Sequence, residues 1–128
     1  MRRLTPVKAM CAEAETRIET LSAADALKLA EAGEATLIDI RDIRELARDG
    51  AVDGALHAPR DMLEFWIDPE SPYHKPALLA PKKHVLFCAG GMRSALAADR
   101  LREMGVEGVA HVRGGYRALI EAGAPRKS

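Results

Sequence analysis

The stretch from His84 to Ser94, HVLFCAGGMRS, constrains this chain more than any other. Val85, Leu86 and Phe87 form an apolar run that ends at Cys88. So short a run, with a β-branched and an aromatic residue, suits a strand buried on both faces. Gly90 and Gly91 follow, then Met92, Arg93 and Ser94, where a long helical pattern begins. The cysteine is therefore expected at the C-terminal end of a parallel strand, in a tight loop that opens a helix. Open α/β sheets bind their ligands outside the carboxyl ends of their strands.

That loop has the composition of an anion cradle. Glycine tolerates positive φ, so Gly90 and Gly91 let the backbone curl with its N–H groups turned inward. The helix that follows adds unpaired N–H groups and the positive end of its dipole. A thiol held there is expected to ionise below the free-cysteine pKa of about 8.5, and the thiolate is the nucleophile. Arg93 adds a fixed charge with planar donors. Ser94 is placed either to cap the helix or to donate its hydroxyl to the thiolate.

Each feature alone has an ordinary explanation. A lone cysteine at a strand end is usually a small buried hydrophobe, and a Gly-Gly pair is usually a turn. Their joint occurrence within seven positions favours chemistry. Cys88-Ala89-Gly90-Gly91-Met92-Arg93-Ser94 resembles the C-x-x-G-x-R-S active-site loop of rhodanese-like sulfurtransferases. The resemblance implies that Cys88 takes a sulfane sulfur from a donor, holds it as a persulfide and passes it to a thiophilic acceptor. It implies that the amides of Ala89, Gly90, Gly91, Met92, Arg93 and Ser94 surround the substrate. Arg93 would stabilise the loop or the anionic substrate.

A chain of 128 residues is expected to form one rhodanese-like domain over 1–128, with a helical extension over 1–16 outside the common core. Nineteen basic and nineteen acidic side chains balance, so no basic excess argues for nucleic acid. No apolar run approaches the roughly 20 residues of a membrane span. Arg2 and Arg3 are not followed by an apolar core, which speaks against a signal peptide. Cys11 and Cys88 form neither a metal spacing nor a disulfide framework, and a reducing cytoplasm fits them best.

Along the chain, Pro6 to Glu15 reads as a helix with Val7, Met10, Cys11 and Ala14 on one face. Cys11 is expected to be a packed apolar residue. Arg17 to Leu21 is a short edge strand. Ser22 with Asp25 matches a capping-box-like start, and Gly33 ends that helix. Thr36 to Ile40 is the next strand, and Asp39-Ile40-Arg41 resembles the family's D-x-R segment, whose side chains hold loops near the active site. A short helix over Asp42 to Arg48 stops near Gly50. Gly50 to Ala55 resembles the family's G-H-I-P-G-A turn, with Ala51 and Asp53 departing from it.

Leu56 to Pro59 is a further strand, with His57 as a structural residue. Arg60, at its end, is a candidate second anion contact or a surface ion pair. Asp61 is placed to cap a helical turn with Met62, Leu63, Phe65 and Trp66. Trp66 either walls the active-site mouth or packs in the core. Four prolines make 68–81 an irregular excursion with one short helix over Pro76 to Leu79. After the cysteine loop, Ala95, Ala98, Leu101 and Met104 share a helix face that ends at Gly105. Gly108 to Val112 is the last strand. Gly114-Gly115-Tyr116, followed by Ala122-Gly123-Ala124-Pro125, resembles the family's C-terminal turn and helix. The tail from Arg126 to Ser128 reads as frayed.

Strands alternating with helices give an α/β fold, a central parallel sheet of about five strands with helices on both faces and Cys88 ending a central strand. The resemblance implies a thiosulfate-type sulfurtransferase that needs no metal and no organic cofactor. Its partners would be a small-molecule sulfur donor and a cyanide or thiol acceptor, with no nucleic acid and no membrane. A noncatalytic module or a protein-to-protein sulfur relay is the alternative. Phosphatases and arsenate reductases of related fold place five residues between Cys and Arg, against four here. Rhodaneses efficient with thiosulfate often carry basic side chains where this loop has Ala89 and Gly90, so weak thiosulfate affinity is expected.

Overall fold

The computed structural model describes residues 3–128, so Arg2, half of the argument against a signal peptide, lies outside the described residues. In chain order the elements are α1 (Val7–Glu15), β1 (Glu19–Leu21), α2 (Ala23–Glu31), β2 (Ala35–Asp39) and α3 (Ile43–Asp49). Next come β3 (Ala51–Val52), β4 (Leu56–His57), a 3-10 turn (Arg60–Met62), α4 (Leu63–Ile67) and a second 3-10 turn (Pro76–Leu79). The chain finishes with β5 (Lys83–Phe87), α5 (Met92–Glu103), β6 (Val109–Val112), α6 (Gly115–Glu121) and β7 (Arg126–Lys127). No described helix is long and apolar enough to cross a membrane.

Five strands form one parallel sheet in the order β1-β6-β5-β2-β4, with β5 at its centre. Strands buried on both faces need apolar residues at odd and even positions alike. Leu37, Val85, Phe87, Ala110 and Val112 pack on one side with Leu27 of α2 and Leu119 of α6. Ile38, Leu86 and Val109 pack on the other with Leu63 and Ile67 of α4 and Leu101 of α5. Helix α1 lies outside that second layer, with Cys11 and Ala14 against Ala95. Arg17 fastens it to α5 through two hydrogen bonds to Asp99, of 3.0 and 2.7 Å.

Local signals act as read from the sequence at several points. Ser22 accepts from the Asp25 N–H at 3.1 Å, and α3 carries a feature beyond the expected short helix, a full capping box of Asp42 and Glu45. His57 donates from Nε2 to the Arg41 carbonyl at 2.7 Å, a structural role. Four expectations are corrected. Asp61 does not cap a helix; it lies inside the 3-10 turn that follows Pro59. Met104, which stands at the C-cap of α5, and Val7 and Met10, in the first turn of α1, are exposed. The tail is not frayed: β7 pairs antiparallel with β3, and Arg126 donates to the Asp49 carbonyl at 2.7 Å.

Arg41 and Asp39 form the one fully buried ion pair among the described residues, with side chains 1% and 2% exposed. Two hydrogen bonds run from Nε (3.0 and 3.1 Å) and one from Nη2 (2.7 Å) to the carboxylate, and Nη2 also donates to the Gly50 carbonyl at 2.9 Å. Removing one partner of such a pair strands a charge in a dry interior. Asp39→Ala is expected to destabilise the fold by about 3–5 kcal/mol, seen as a lower urea midpoint with an unchanged slope.

Candidate active site

The cysteine loop is built where the central strand ends. Cys88 follows β5 directly and is buried, whereas Ala89 and Gly90 are exposed. Gly91 adopts a left-handed conformation, φ 109°, which turns its N–H onto the Cys88 Sγ at 3.1 Å. Only glycine takes this conformation without strain. Among the described residues this is the loop amide that reaches the sulfur within hydrogen-bonding distance. Met92 and Arg93 open α5 and are exposed.

A second helix end grips the same residue from behind. Tyr116 N–H in the first turn of α6 donates to the Cys88 carbonyl at 2.7 Å. Gly115, φ 59°, lies so close that a Cβ there would stand 2.3 Å from the Cys88 carbonyl oxygen and 2.6 Å from that of Ala89. The Gly-Gly-Tyr motif is therefore a seat for the backbone of the nucleophile.

Arg93 is anchored. Its Nη1 and Nη2 each donate to a Glu45 carboxylate oxygen at 2.9 Å. Glu45 also accepts from the Asp42 N–H at 2.9 Å, so the clamp joins the loop to the start of α3. The Arg93 guanidinium holds the Glu45 carboxyl down to about 2, and Glu45, with a smaller contribution from Cys88, raises the guanidinium in turn. Arg60 pairs with Glu64 at 2.7 Å. Trp66 packs at the edge of the α4–α5 core with the Lys75 ammonium 4.6 Å from its ring centroid.

Ser94 does not cap α5, whose N-cap is Gly91 without a side-chain bond. Its hydroxyl lies 3.6 Å from Cys88 Sγ, 3.4 Å from the Gly91 carbonyl and 2.9 Å from His111 Nδ1. His111 Nε2 is 3.0 Å from the Glu15 carboxylate. Burial pushes the His111 imidazole below its ordinary pKa, while Glu15 pulls it up. The sequence reading passed over His111 and Glu15. The available signal was a histidine inside an apolar strand, since buried polar groups need partners.

Ala89 and Gly90 border a cavity of about 850 Å³ that Arg48, Tyr116, Arg117 and Arg126 also line. A larger one, about 1060 Å³, touches Gly33, Lys83 and Gly108 at the opposite end of the sheet, away from the cysteine.

A five-stranded parallel α/β sheet with a cysteine loop at the end of its central strand defines the class, and the comparisons give the family. The family model for the rhodanese-like domain matches residues 22–122, and the chain belongs to that family. A tRNA uridine(34) hydroxylase of Jannaschia sp. (strain CCS1) is 32% identical over 96 residues, covering 73% of this chain. The chain spans only 30% of that relative's length. A protein of unknown function from Rhodopseudomonas palustris CGA009, described as a possible tyrosine phosphatase, superposes with a TM-score of 0.91 at 48% identity. That match covers 99% of this chain and 98% of the other. A human single-domain sulfurtransferase superposes with a TM-score of 0.63 at 32% identity, covering 80% of this chain and 95% of its own.

The Arg93–Glu45 clamp carries a pH signature. Because folding lowers the Glu45 pKa from its ordinary 4.5 to about 2, the clamp contributes its full stability above about 4.5. That contribution is lost as the pH falls through about 2. Glu45→Gln should melt below the native protein at neutral pH, and the gap should close in acid, measured by thermal melts across pH.

Proposed function

We propose that this chain is a sulfur carrier in which Cys88 holds a sulfane sulfur as a persulfide. The observation that carries this reading is the Gly91 N–H directed at Cys88 Sγ, 3.1 Å away, at the end of the central strand. The thiolate attacks the sulfane sulfur of the donor and an S–S bond forms at Cys88, while the donor's leaving group departs with the bonding electrons. A nucleophilic acceptor, cyanide or a thiol, then attacks the outer sulfur and Cys88 leaves again as thiolate. In this reading the Gly91 amide steadies negative charge on the sulfur, Ala89 and Gly90 shape the exposed rim, and Met92 flanks the entry. Arg93 shapes the loop through Glu45. The whole described chain acts as one domain, with α1 as its extension.

Charge decides which donor suits the site. The cations that hold the loop and its neighbours are matched, Arg41 by Asp39, Arg93 by Glu45, Arg60 by Glu64 and Arg48 by Asp49, which leaves Arg117 and Arg126 at the cavity beyond Ala89 and Gly90. Ala89 and Gly90 add none. A small dianion such as thiosulfate gains little there, whereas a neutral organic persulfide or a protein-borne one needs no extra cation. The likeness to a possible tyrosine phosphatase makes phosphate-ester hydrolysis the rival activity, but four residues between Cys88 and Arg93, one fewer than the phosphatase spacing, make a smaller cradle.

A second reading rests on the curated relatives. They are named for a reaction on tRNA, which sets aside the expectation of no nucleic-acid partner as a firm exclusion. In that reading the sulfur or thiol chemistry of Cys88 serves a tRNA-modifying system, and Arg117 and Arg126 beside the loop meet phosphate. Filter binding of bulk tRNA tests it: loss of retention in an Arg117→Glu, Arg126→Glu variant supports it, and no retention by the native chain removes it.

Intact mass after incubation with an organic persulfide tests the main reading. The native protein should gain the mass of one sulfur atom, released by cyanide or dithiothreitol. Cys88→Ala should gain none, and Cys11→Ala should gain as the native protein does. Thiosulfate should load the protein more slowly than the organic persulfide. Hydrolysis of an aryl phosphate without sulfur gain would replace this reading with the phosphatase one.

A further inference from the structure

The carrier reading uses Cys88 and the front of its loop, but a polar chain also runs from the sulfur through the interior to the opposite side of α5. Its members are Cys88 Sγ, Ser94 Oγ (3.6 Å), His111 Nδ1 (2.9 Å from Ser94), His111 Nε2 and Glu15 Oε2 (3.0 Å). Cys88, Ser94 and His111 are buried, at 1%, 0% and 1% exposure. The Glu15 side chain is 41% exposed. The chain thus joins a sealed thiol to solvent at a point on α1, which precedes the matched family region.

The hydrogen-bond directions are fixed by chemistry. A carboxylate only accepts, so Nε2 of His111 carries a proton and donates to Glu15. Burial keeps the imidazole neutral, so Nδ1 accepts. The single Ser94 hydroxyl proton has two acceptors in reach, His111 Nδ1 at 2.9 Å and the Gly91 carbonyl at 3.4 Å, and the shorter contact is the stronger. With that proton on Nδ1, the Ser94 oxygen is free to accept from the Cys88 S–H.

We propose that Ser94, His111 and Glu15 form a relay that carries the thiol proton away from Cys88 through the protein interior, leaving the front of the loop to the substrate. The proposal rests on Cys88 being the reacting thiol. The S–H bond of Cys88 breaks and its proton passes to Ser94 Oγ, while the Ser94 hydroxyl proton passes to His111 Nδ1. The sulfur keeps the electron pair, and the products are a thiolate and an imidazolium paired with the Glu15 carboxylate. No oxidant or reductant is involved. Return of the proton by the same route accompanies any step that protonates the sulfur.

The groups around this path set its pH response. From α1, Glu15 faces His111 and favours the imidazolium, and the Cys11 thiol is pushed up by burial first and then by Glu15 and Cys88. Just past the end of β6, Arg113 opposes the imidazolium. From α5, Ser94 is neutral, and Arg93 beside Cys88 is committed to Glu45. From β1, Thr20 sits in register with His111 and donates to Glu15 at 3.4 Å. Glu15 is thus the one carboxylate recorded against His111 among the described residues.

The test is thiolate formation, followed by ultraviolet absorbance across pH in a Cys11→Ala background, so that Cys88 alone titrates. Glu15→Gln changes a partly exposed side chain and keeps the core intact; His111→Asn and Ser94→Ala are the interior variants. Each removes the imidazolium that faces the thiolate or a group that supports it, and is expected to raise the titration midpoint by about one pH unit, with an unchanged far-ultraviolet dichroism spectrum. An unchanged midpoint in Glu15→Gln, with Ser94→Ala also unchanged, overturns the proposal. A raised midpoint in a protein that never gains sulfur keeps the proton path and removes the carrier reading. Sulfur gain with unmoved midpoints does the reverse.

Discussion

The Arg41 guanidinium is the interaction on which the site depends. It is fully buried, bound to Asp39 at the end of β2, and donates to the Gly50 carbonyl where α3 turns into β3. Its planar group lies 3.9 Å from the ring centroid of Tyr116. Tyr116 in turn presents its N–H to the Cys88 carbonyl and its hydroxyl to the Asp49 carbonyl at 2.9 Å. One side chain therefore sets the spacing of β2, the α3–β3 turn and α6, and through α6 the height of the cysteine. A lysine there would keep the charge but lose the fork that meets Asp39 and Gly50 together.

This arrangement separates loop shape from substrate charge. The cations near the sulfur are used to hold backbone: Arg41 across two turns, Arg93 on Glu45 at the start of α3. Such pairs fix geometry more than they add field, because each positive charge has its own carboxylate within hydrogen-bonding distance. The remaining polarisation comes from oriented amides, above all that of Gly91, which cost no reorganisation when charge develops on sulfur.

Much of this was legible from local pattern. The run into Cys88, the Ser22 cap, the short helix from Asp42, the edge strand ending at Leu21 and the short helical turn over Pro76–Leu79 each carry their signal within a few residues. What was not legible depends on partners far away in sequence. β7 reads as a charged tail because its pairing with Ala51 and Val52 is invisible until the chain folds back. Arg93 reads as a free cation because Glu45 lies 48 positions away. Met104 has the spacing of a core residue, yet it stands at the C-cap of α5 and is exposed. His111 sits in a strand whose alternation is otherwise apolar, and only the return of α1 gives it Glu15.

The contact between Glu15 and His111 spans 96 positions, and the Cys88 carbonyl waits for an amide 28 residues later, in α6. Contacts of such separation form after local ones, because the loop must close before they are gained. The strand, loop and first turn of α5 can assemble early, but the sulfur is shut in only when both ends of the domain have docked around it. Burial of the thiol is thus a marker of finished folding. An unfinished chain carries a cysteine with neither its gripping amide nor its serine and histidine in place, and docking of α1 and α6 completes its surroundings.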